Sequence, residues 1–124
     1  MHELLFWLYL LNLVLMILHE MDSAYWKEWV LFGLPGGIGG FLLIHVPLWG
    51  GTLYGLVLLD REVLEGLILS LIVSLAGILG FGIHTYFLHQ GRDEFNTLVS
   101  KGILWAMLVM SVAQLIVTFS IILS

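Results

Sequence analysis

The chain has 124 residues, of which 60% are hydrophobic and only 10% are charged. A water-soluble domain usually carries about a quarter charged residues, so this composition excludes a soluble globular protein and indicates that lipid surrounds the chain. The formal net charge of −5 argues against a nucleic-acid partner, and the absence of cysteine excludes disulfides and thiolate metal sites.

Long apolar runs without charged residues determine the organisation of the chain. A helix rises about 1.5 Å per residue, so roughly 20 apolar residues cross the hydrocarbon core of a bilayer. We therefore predict an all-α fold, an integral membrane four-helix bundle with short loops, as a single transmembrane domain over residues 1–124. Its spans are expected at residues 2–20, 34–59, 64–89 and 101–123, with an interfacial segment at 23–33. No Lys or Arg precedes the first run and no small-residue cleavage pattern follows it, so we expect a retained span and not a cleaved signal peptide.

The distribution of basic residues predicts the orientation. With four spans, the loops at 20–29 and 90–101 lie on one side of the membrane and both termini lie on the other. The loop side carries Lys27, Arg92 and Lys101, whereas the terminal side carries Arg61. Because basic loops tend to stay in the cytoplasm, we expect the termini to be non-cytoplasmic.

The start of the second span is rich in glycine. Pro35 suits the first turn of a helix, because proline has no backbone N–H to donate, and so it is expected to begin this span. Four glycines form two small-xxx-small pairs, Gly33 with Gly37 and Gly36 with Gly40. Such pairs predict close packing against another helix, within the chain or in another copy. A phosphate-binding loop is the rival interpretation, but no Lys-Ser/Thr follows these glycines and no strand is predicted before them.

Polar side chains inside the spans fall on one face of each predicted helix. A helix surrounded by lipid needs none of them, so these faces should point into the bundle. The serines and threonines are interpreted as interhelical hydrogen-bond partners. Asn12 and Gln114 are more costly to bury, and we predict that they line a polar cavity.

Histidines and carboxylates gather at the membrane face where the first and third spans end. His19 and Asp22 are three residues apart and therefore share a helix face. His84 lies near the end of the third span, on its polar face. We predict that His19 and His84 meet, with Asp22 beside them, in a metal site that Glu28 or His89 completes. Nitrogen and oxygen ligands without thiolates suit Zn, Fe or Mn, and a catalytic ion here would activate water or oxygen at the lipid surface.

Two alternatives remain open from the sequence. His45 and His84 could ligate a haem iron from facing helices of the bundle. Alternatively, the protein is a structural or assembly subunit of a membrane complex, without chemistry of its own, whose glycines mediate contact with a second copy or another membrane protein. A channel or transporter is less favoured because no ring of charge lies in the middle of the spans.

The run H-x-x-D-x-A-Y-W-K-E-W at His19–Trp29, followed by L-P-G-G at Leu34–Gly37, resembles a family of small uncharacterised bacterial membrane proteins with four predicted spans. The resemblance covers about the first half of the chain. It implies a bacterial protein, which we expect in the inner membrane, and it implies no mechanism or catalytic residue. The start of the run is also similar to a small membrane family named for a His-x-x-Glu-Glu motif, but Ser23 follows Asp22, so the second acid is missing.

Overall fold

Four long helices and one short helix make up the fold. The computed structural model describes residues 1–124. In chain order the helices are α1 (His2–Tyr25), α2 (Glu28–Leu31), α3 (Gly37–Asp60), α4 (Leu64–His89) and α5 (Leu98–Leu123). All except α2 are long and apolar enough to cross a membrane. The predicted all-α bundle of four spans is confirmed.

The long helices form a ring in which neighbours are antiparallel. Both α1 and α4 pack against α3 and α5, so α1 and α4 stand diagonally across the bundle. One end of the bundle carries α2 and the loop between α4 and α5, and the other end carries the first residue of α1 and the short turn after Asp60. Large apolar side chains cover the outside, as at Leu43, where 73% of the residue is exposed. Hydrocarbon is the solvent that such a surface requires.

Three boundaries differ from those expected, one of them the start of α5, which is at Leu98 and not at residue 101. The helix α1 runs on to Tyr25, so the beginning of the expected interfacial segment is the last turn of α1. The helix α3 begins at Gly37, two residues after Pro35, because Gly36 adopts a φ of 101° that a helix cannot continue.

The glycine pairs at the start of α3 do not pack against another helix of the same chain. A Cβ atom at Gly33 or Gly37 would meet nothing within 4 Å, and one at Gly36 would meet only Gly40 in the same turn. Gly33, Gly36 and Gly37 all have positive φ, a backbone conformation that favours glycine, and this explains why glycine occupies these positions. A role of Gly33, Gly36, Gly37 and Gly40 in contact with a second copy stays a prediction.

Close helix approach occurs instead at Gly55 and Gly77. The Tyr9 hydroxyl donates to the carbonyl oxygen of Thr52 at 2.7 Å, and a Cβ at Gly55 would overlap the end of the Tyr9 side chain. A Cβ at Gly77 would overlap the side chain of Ser111. These two glycines therefore allow α1 to approach α3 and α4 to approach α5.

A hydrogen-bond network joins α1, α4 and α5 in the middle of the bundle. The Asn12 amide donates to Ser111 Oγ at 3.0 Å and to Gln114 Oε1 at 2.9 Å. The Gln114 amide donates to the carbonyl oxygen and the hydroxyl of Ser70, each at 3.0 Å. Thr118 closes the network through the Ser70 hydroxyl, at 2.8 Å. Asn12 and Gln114 are 0% exposed and turned toward each other and these partners.

The helix α3 is attached to the bundle mainly through its second half. Gly55 and Leu59 are its buried residues, and both lie near its C-terminal end. Its first half contains Pro47, which lacks the N–H for one helical hydrogen bond. Because this half contributes no buried residue, space remains between it and the end of the bundle that carries α2.

Candidate metal centre

A sharp reversal after α1 brings a carboxylate back onto the end of the bundle. Trp26 donates from its indole N–H to Asp22 Oδ1 at 2.9 Å, which ties the end of α1 together. Lys27 then adopts a φ of 53°, in the left-handed region that side chains rarely occupy. The chain turns and starts α2 at Glu28, whose side chain is thereby directed at α1 and α4.

His19, Glu28 and His84 converge in this place. One ligand atom from each residue lies within 4.8 Å of the other two. The three residues are buried, with exposed fractions of 4%, 9% and 4%. The two imidazoles meet edge to face, with ring centroids 4.5 Å apart. A tetrahedral ion with bonds of about 2.1 Å would draw its ligand atoms to roughly 3.4 Å from one another, which needs only small side-chain movements here.

The hydrogen bonds of His84 determine which of its nitrogens is free. Its Nδ1 lies 2.7 Å from the carbonyl oxygen of Gly80 and donates to it, so the neutral ring carries its lone pair on Nε2. That Nε2 lies 3.1 Å from Glu28 Oε1, which is an ion-pair distance when the ring is protonated, but the geometry is not that of a hydrogen bond. A ring N–H held by a backbone carbonyl, with the other nitrogen free, is the arrangement found in metal-bound histidines.

His19 also presents an unpaired ring nitrogen. Its Nδ1 is buried and has no hydrogen-bond partner. Burying such a nitrogen without a partner costs about 1–3 kcal/mol. The cluster therefore contains two buried nitrogens, His19 Nδ1 and His84 Nε2, that lack the partner their burial calls for.

The Glu28 carboxylate supplies negative charge to the cluster. Burial alone would raise the pKa of Glu28, but the hydrogen bond and positive charge that His84 supplies when it is protonated, and then the charge of His19, outweigh burial and lower this pKa below its ordinary value. Glu28 is thus ionised at neutral pH and available as an oxygen ligand.

Phe95 covers the cluster from the loop between α4 and α5. It is 1% exposed, and its ring lies 4.4 Å from the His84 ring and 5.4 Å from the His19 ring, measured between centroids. Phe95 was not among the expected site residues. An isolated apolar side chain in a polar loop is the only signal that could have indicated a cover.

Two of the five predicted metal ligands lie outside the cluster. Asp22 accepts the hydrogen bond from Trp26 with one oxygen, and it is not among the converging ligands. His89 is exposed at the end of α4. It is five residues beyond His84, which is about 140° around the helix, so it points away from the cluster.

His45, the expected haem ligand, is engaged by a carboxylate. Its Nε2 lies 2.7 Å from Glu20 Oε2, and its Nδ1 donates to the carbonyl oxygen of Phe41 at 2.5 Å. One proton between Glu20 and His45 satisfies both groups. This pair was not among the expected contacts, although a carboxylate at the end of a span needs a partner, and that need was a usable signal.

Two cavities adjoin the cluster. The smaller, of about 300 Å³, is lined by polar side chains that include His19, Glu28 and His84, and by apolar side chains from α3 and α4. The larger, of about 700 Å³, lies between the segment at 28–35 and the first half of α3. The cavities share four lining residues, Glu20, Glu28, Phe32 and Leu48. Asn12 and Gln114 line neither cavity.

The fold and this cluster define a class, an all-helical membrane bundle with a buried His-Glu-His group at one end. The chain belongs to DUF6713, a family of unknown function, whose family model matches residues 5–121. The expected membership of an uncharacterised family is confirmed. Comparison with curated proteins and with solved structures found no match.

Proposed function

We propose that this protein is an integral membrane metal-binding protein in which His19, Glu28 and His84 hold one divalent transition-metal ion. The observation that carries the proposal is the convergence of these three buried groups with two ring nitrogens that lack hydrogen-bond partners. An ion would accept both lone pairs and would balance the buried carboxylate. In the chain alone, a proton on His84 Nε2 would pair this nitrogen with Glu28 at 3.1 Å, and His19 Nδ1 would still lack a partner.

The ligand set narrows the choice of ion and its use. Two histidines and one carboxylate form three-ligand zinc sites that keep a position open, and they also form the facial triad of non-haem Fe(II). Mn is accommodated by the same nitrogen and oxygen donors. A bound ion would supply Lewis acidity or an activated water beside the smaller cavity, which the three ligands line.

The surroundings of the histidines do not favour haem. His45 Nε2 is paired with Glu20, and His84 is enclosed by His19, Phe95 and Glu28. A porphyrin would require removal of these neighbours from the face of the ligating nitrogen.

Element analysis of protein purified without chelator tests the proposal. We expect about one equivalent of Zn, Fe or Mn per chain in the wild type. Loss of a residue that only supports a ligand lowers metal affinity about 10–100-fold, and loss of a ligand should cost more, so His84→Ala should retain less than a tenth of this metal. Glu28→Gln, which changes volume little, should lose metal as well.

The matched controls are His89→Ala, on the same helix, and Asp22→Asn, next to His19. Both should keep the metal content of the wild type, because neither side chain belongs to the cluster. Equal metal content in the wild type, His84→Ala and Glu28→Gln would overturn the proposal.

We further place the protein in a bacterial inner membrane with both termini non-cytoplasmic, on the resemblance and on the basic loops described above. Because the chain has no cysteine, single cysteines can be labelled from either side. Lys27→Cys and Arg92→Cys, both at exposed positions, should react from the cytoplasmic side, and Arg61→Cys from the opposite side. Labelling of positions 27 and 61 from one side would contradict this topology.

A further inference from the structure

The larger cavity has the size and the lining of a site for an apolar molecule. Its volume of about 700 Å³ falls in the range of roughly 300–1,000 Å³ typical of small-molecule sites. Half of its lining residues are hydrophobic, from the segment that carries α2 and from the first half of α3: Trp29, Phe32, Leu34, Phe41, Ile44 and Leu48.

This cavity opens toward the lipid. Leu34 and Ile44 line it and are also 55% and 63% exposed on the outer, apolar surface. The opening lies beside the half of α3 that has no buried residue, so no other helix of the chain closes it. A molecule dissolved in the bilayer can therefore enter sideways, without passing through water.

The polar end of the cavity carries two carboxylates and one imidazole. Its ionisable lining residues are Glu20, Glu28 and His45. No Lys or Arg lines either this cavity or the smaller one. Phosphate groups are usually bound by Arg, Lys or several backbone N–H groups, whereas an ion held by Glu28 would offer a phosphate one partner and the Glu20 carboxylate would face its remaining oxygens. The charges therefore favour an uncharged head group over the phosphate of a phospholipid.

The polar end is also where the two cavities meet. Glu20 and Glu28 line both, and Glu28 belongs to the cluster with His19 and His84. A head group at this junction would lie between the Glu20 carboxylate and the ion. A hydroxyl group fits both neighbours, because its oxygen can coordinate a metal while its O–H donates to a carboxylate.

We propose that this cavity binds a long-chain alcohol from the bilayer, with the hydroxyl at the junction beside Glu20 and the metal cluster and the alkyl chain between Ile44 and Leu34. The position of the apolar chain follows from the cavity itself. The choice of a hydroxyl head group rests on the proposed metal function.

Native mass spectrometry of the full chain, released from detergent micelles, tests the proposal with 1-hexadecanol as the probe. Ile44→Trp would fill the cavity, whereas Leu43→Trp adds the same side chain at the neighbouring position, which lines neither cavity and is 73% exposed. We expect the wild type and Leu43→Trp to retain the alcohol, and Ile44→Trp to retain about tenfold less. Leu34→Trp, on a different segment, provides a second blocking variant if Ile44→Trp does not fold.

Hexadecyl phosphate and element analysis complete the experiment. The phosphate ester has the same chain and an anionic head, so it should be retained less than the alcohol. Retention of the phosphate at or above the level of the alcohol, equal retention of the alcohol by the blocked and control variants, or no retention by the wild type would overturn the proposal. A dimer of the wild type that Ile44→Trp disrupts, without alcohol retention, would assign the cavity to a second copy and would also overturn it.

Metal content of the same samples separates the two proposals. Blocking the cavity should leave the metal content unchanged, because Ile44 and Leu34 are not ligands. Metal without alcohol would defeat only the present inference, and alcohol without metal in the wild type would defeat the proposed metal function.

Discussion

Two buried polar regions of the same bundle differ in how completely their polar atoms are paired. In the middle of the membrane, Asn12 and Gln114 bond to each other, and none of the side-chain polar atoms in their network lacks a partner. At one end, His19 and His84 are also buried, yet each has a ring nitrogen that makes no hydrogen bond. A network in which every buried polar atom is hydrogen-bonded stabilises the fold by itself. Buried polar atoms without hydrogen bonds indicate that a group outside the chain supplies the partner.

The two regions should therefore contribute to stability with opposite sign. Interhelical hydrogen bonds in membranes contribute about 0.6 kcal/mol each on average, so the central network holds the helices together modestly. The cluster in its metal-free form lowers stability, because its buried groups without partners lose their hydrogen bonds to water and gain none within the protein. Functional sites commonly carry such a cost.

The largest loss of stability is expected from a substitution that disrupts the helix packing on which the central network depends. Gly77→Val places a Cβ where Ser111 already lies, so α5 must move away from α4. Because the hydrogen-bond partners of Asn12 lie on α5, they move away from Asn12 as well. We expect the free energy of unfolding to fall by about 3 kcal/mol. Gly82→Val is the control on the same helix, because nothing lies within 4 Å of a Cβ there. Unfolding in detergent, followed by circular dichroism, measures both, and equal stability of the two variants would refute close packing at Gly77.

A smaller effect is expected when the network loses one member without a change in packing. Gln114→Leu leaves the Asn12 amide with one partner fewer, and the free energy of unfolding should fall by about 1–2 kcal/mol. Metal content should stay at the level of the wild type. Ser120→Ala is the control, because its exposed hydroxyl bonds only to the carbonyl of Ile116 on its own helix. A loss of metal in Gln114→Leu would mean that the two regions are coupled.

The smallest expected effect is a gain in stability, from a substitution in the cluster. His19→Leu removes a buried nitrogen that has no partner and keeps an apolar side chain beside Phe95. In chelator-treated protein the free energy of unfolding should rise by about 0.5 kcal/mol. His89→Leu, at the exposed end of α4, serves as the comparison. A destabilisation of His19→Leu as large as that of Gln114→Leu would show that the cluster is a structural network like the central one.

The spacing of residues along the sequence was sufficient to predict the four spans and the buried face of α1. Bilayer thickness and the length of the apolar runs predict the four spans. Helical periodicity places Asn12 and His19 on one face of α1, and both are buried in the bundle. These inferences depend only on residues a few positions apart, which a helix holds in fixed relation.

Features that depend on the setting of one helix against another could not be predicted in this way. The pairing of Glu20 with His45 depends on the rotation and tilt of α1 against α3. The sequence of either helix by itself does not determine this arrangement. A glycine shows only that a side chain is missing, so it could not be known that Gly36 serves a turn and Gly77 a helix contact. Lys27 gives no sign of the left-handed conformation that returns Glu28 to the bundle.

The order of the ligands along the chain has a consequence for biosynthesis. His19, Glu28 and His84 lie on α1, α2 and α4, all of which leave the ribosome before α5. Asn12, in contrast, finds its partners Ser111 and Gln114 on α5. Synthesis proceeds from the N-terminus, so every ligand has been inserted while the central network still waits for its last helix. Ion capture can thus precede closure of the bundle, and a bound ion would hold α1 and α4 together for the arrival of α5.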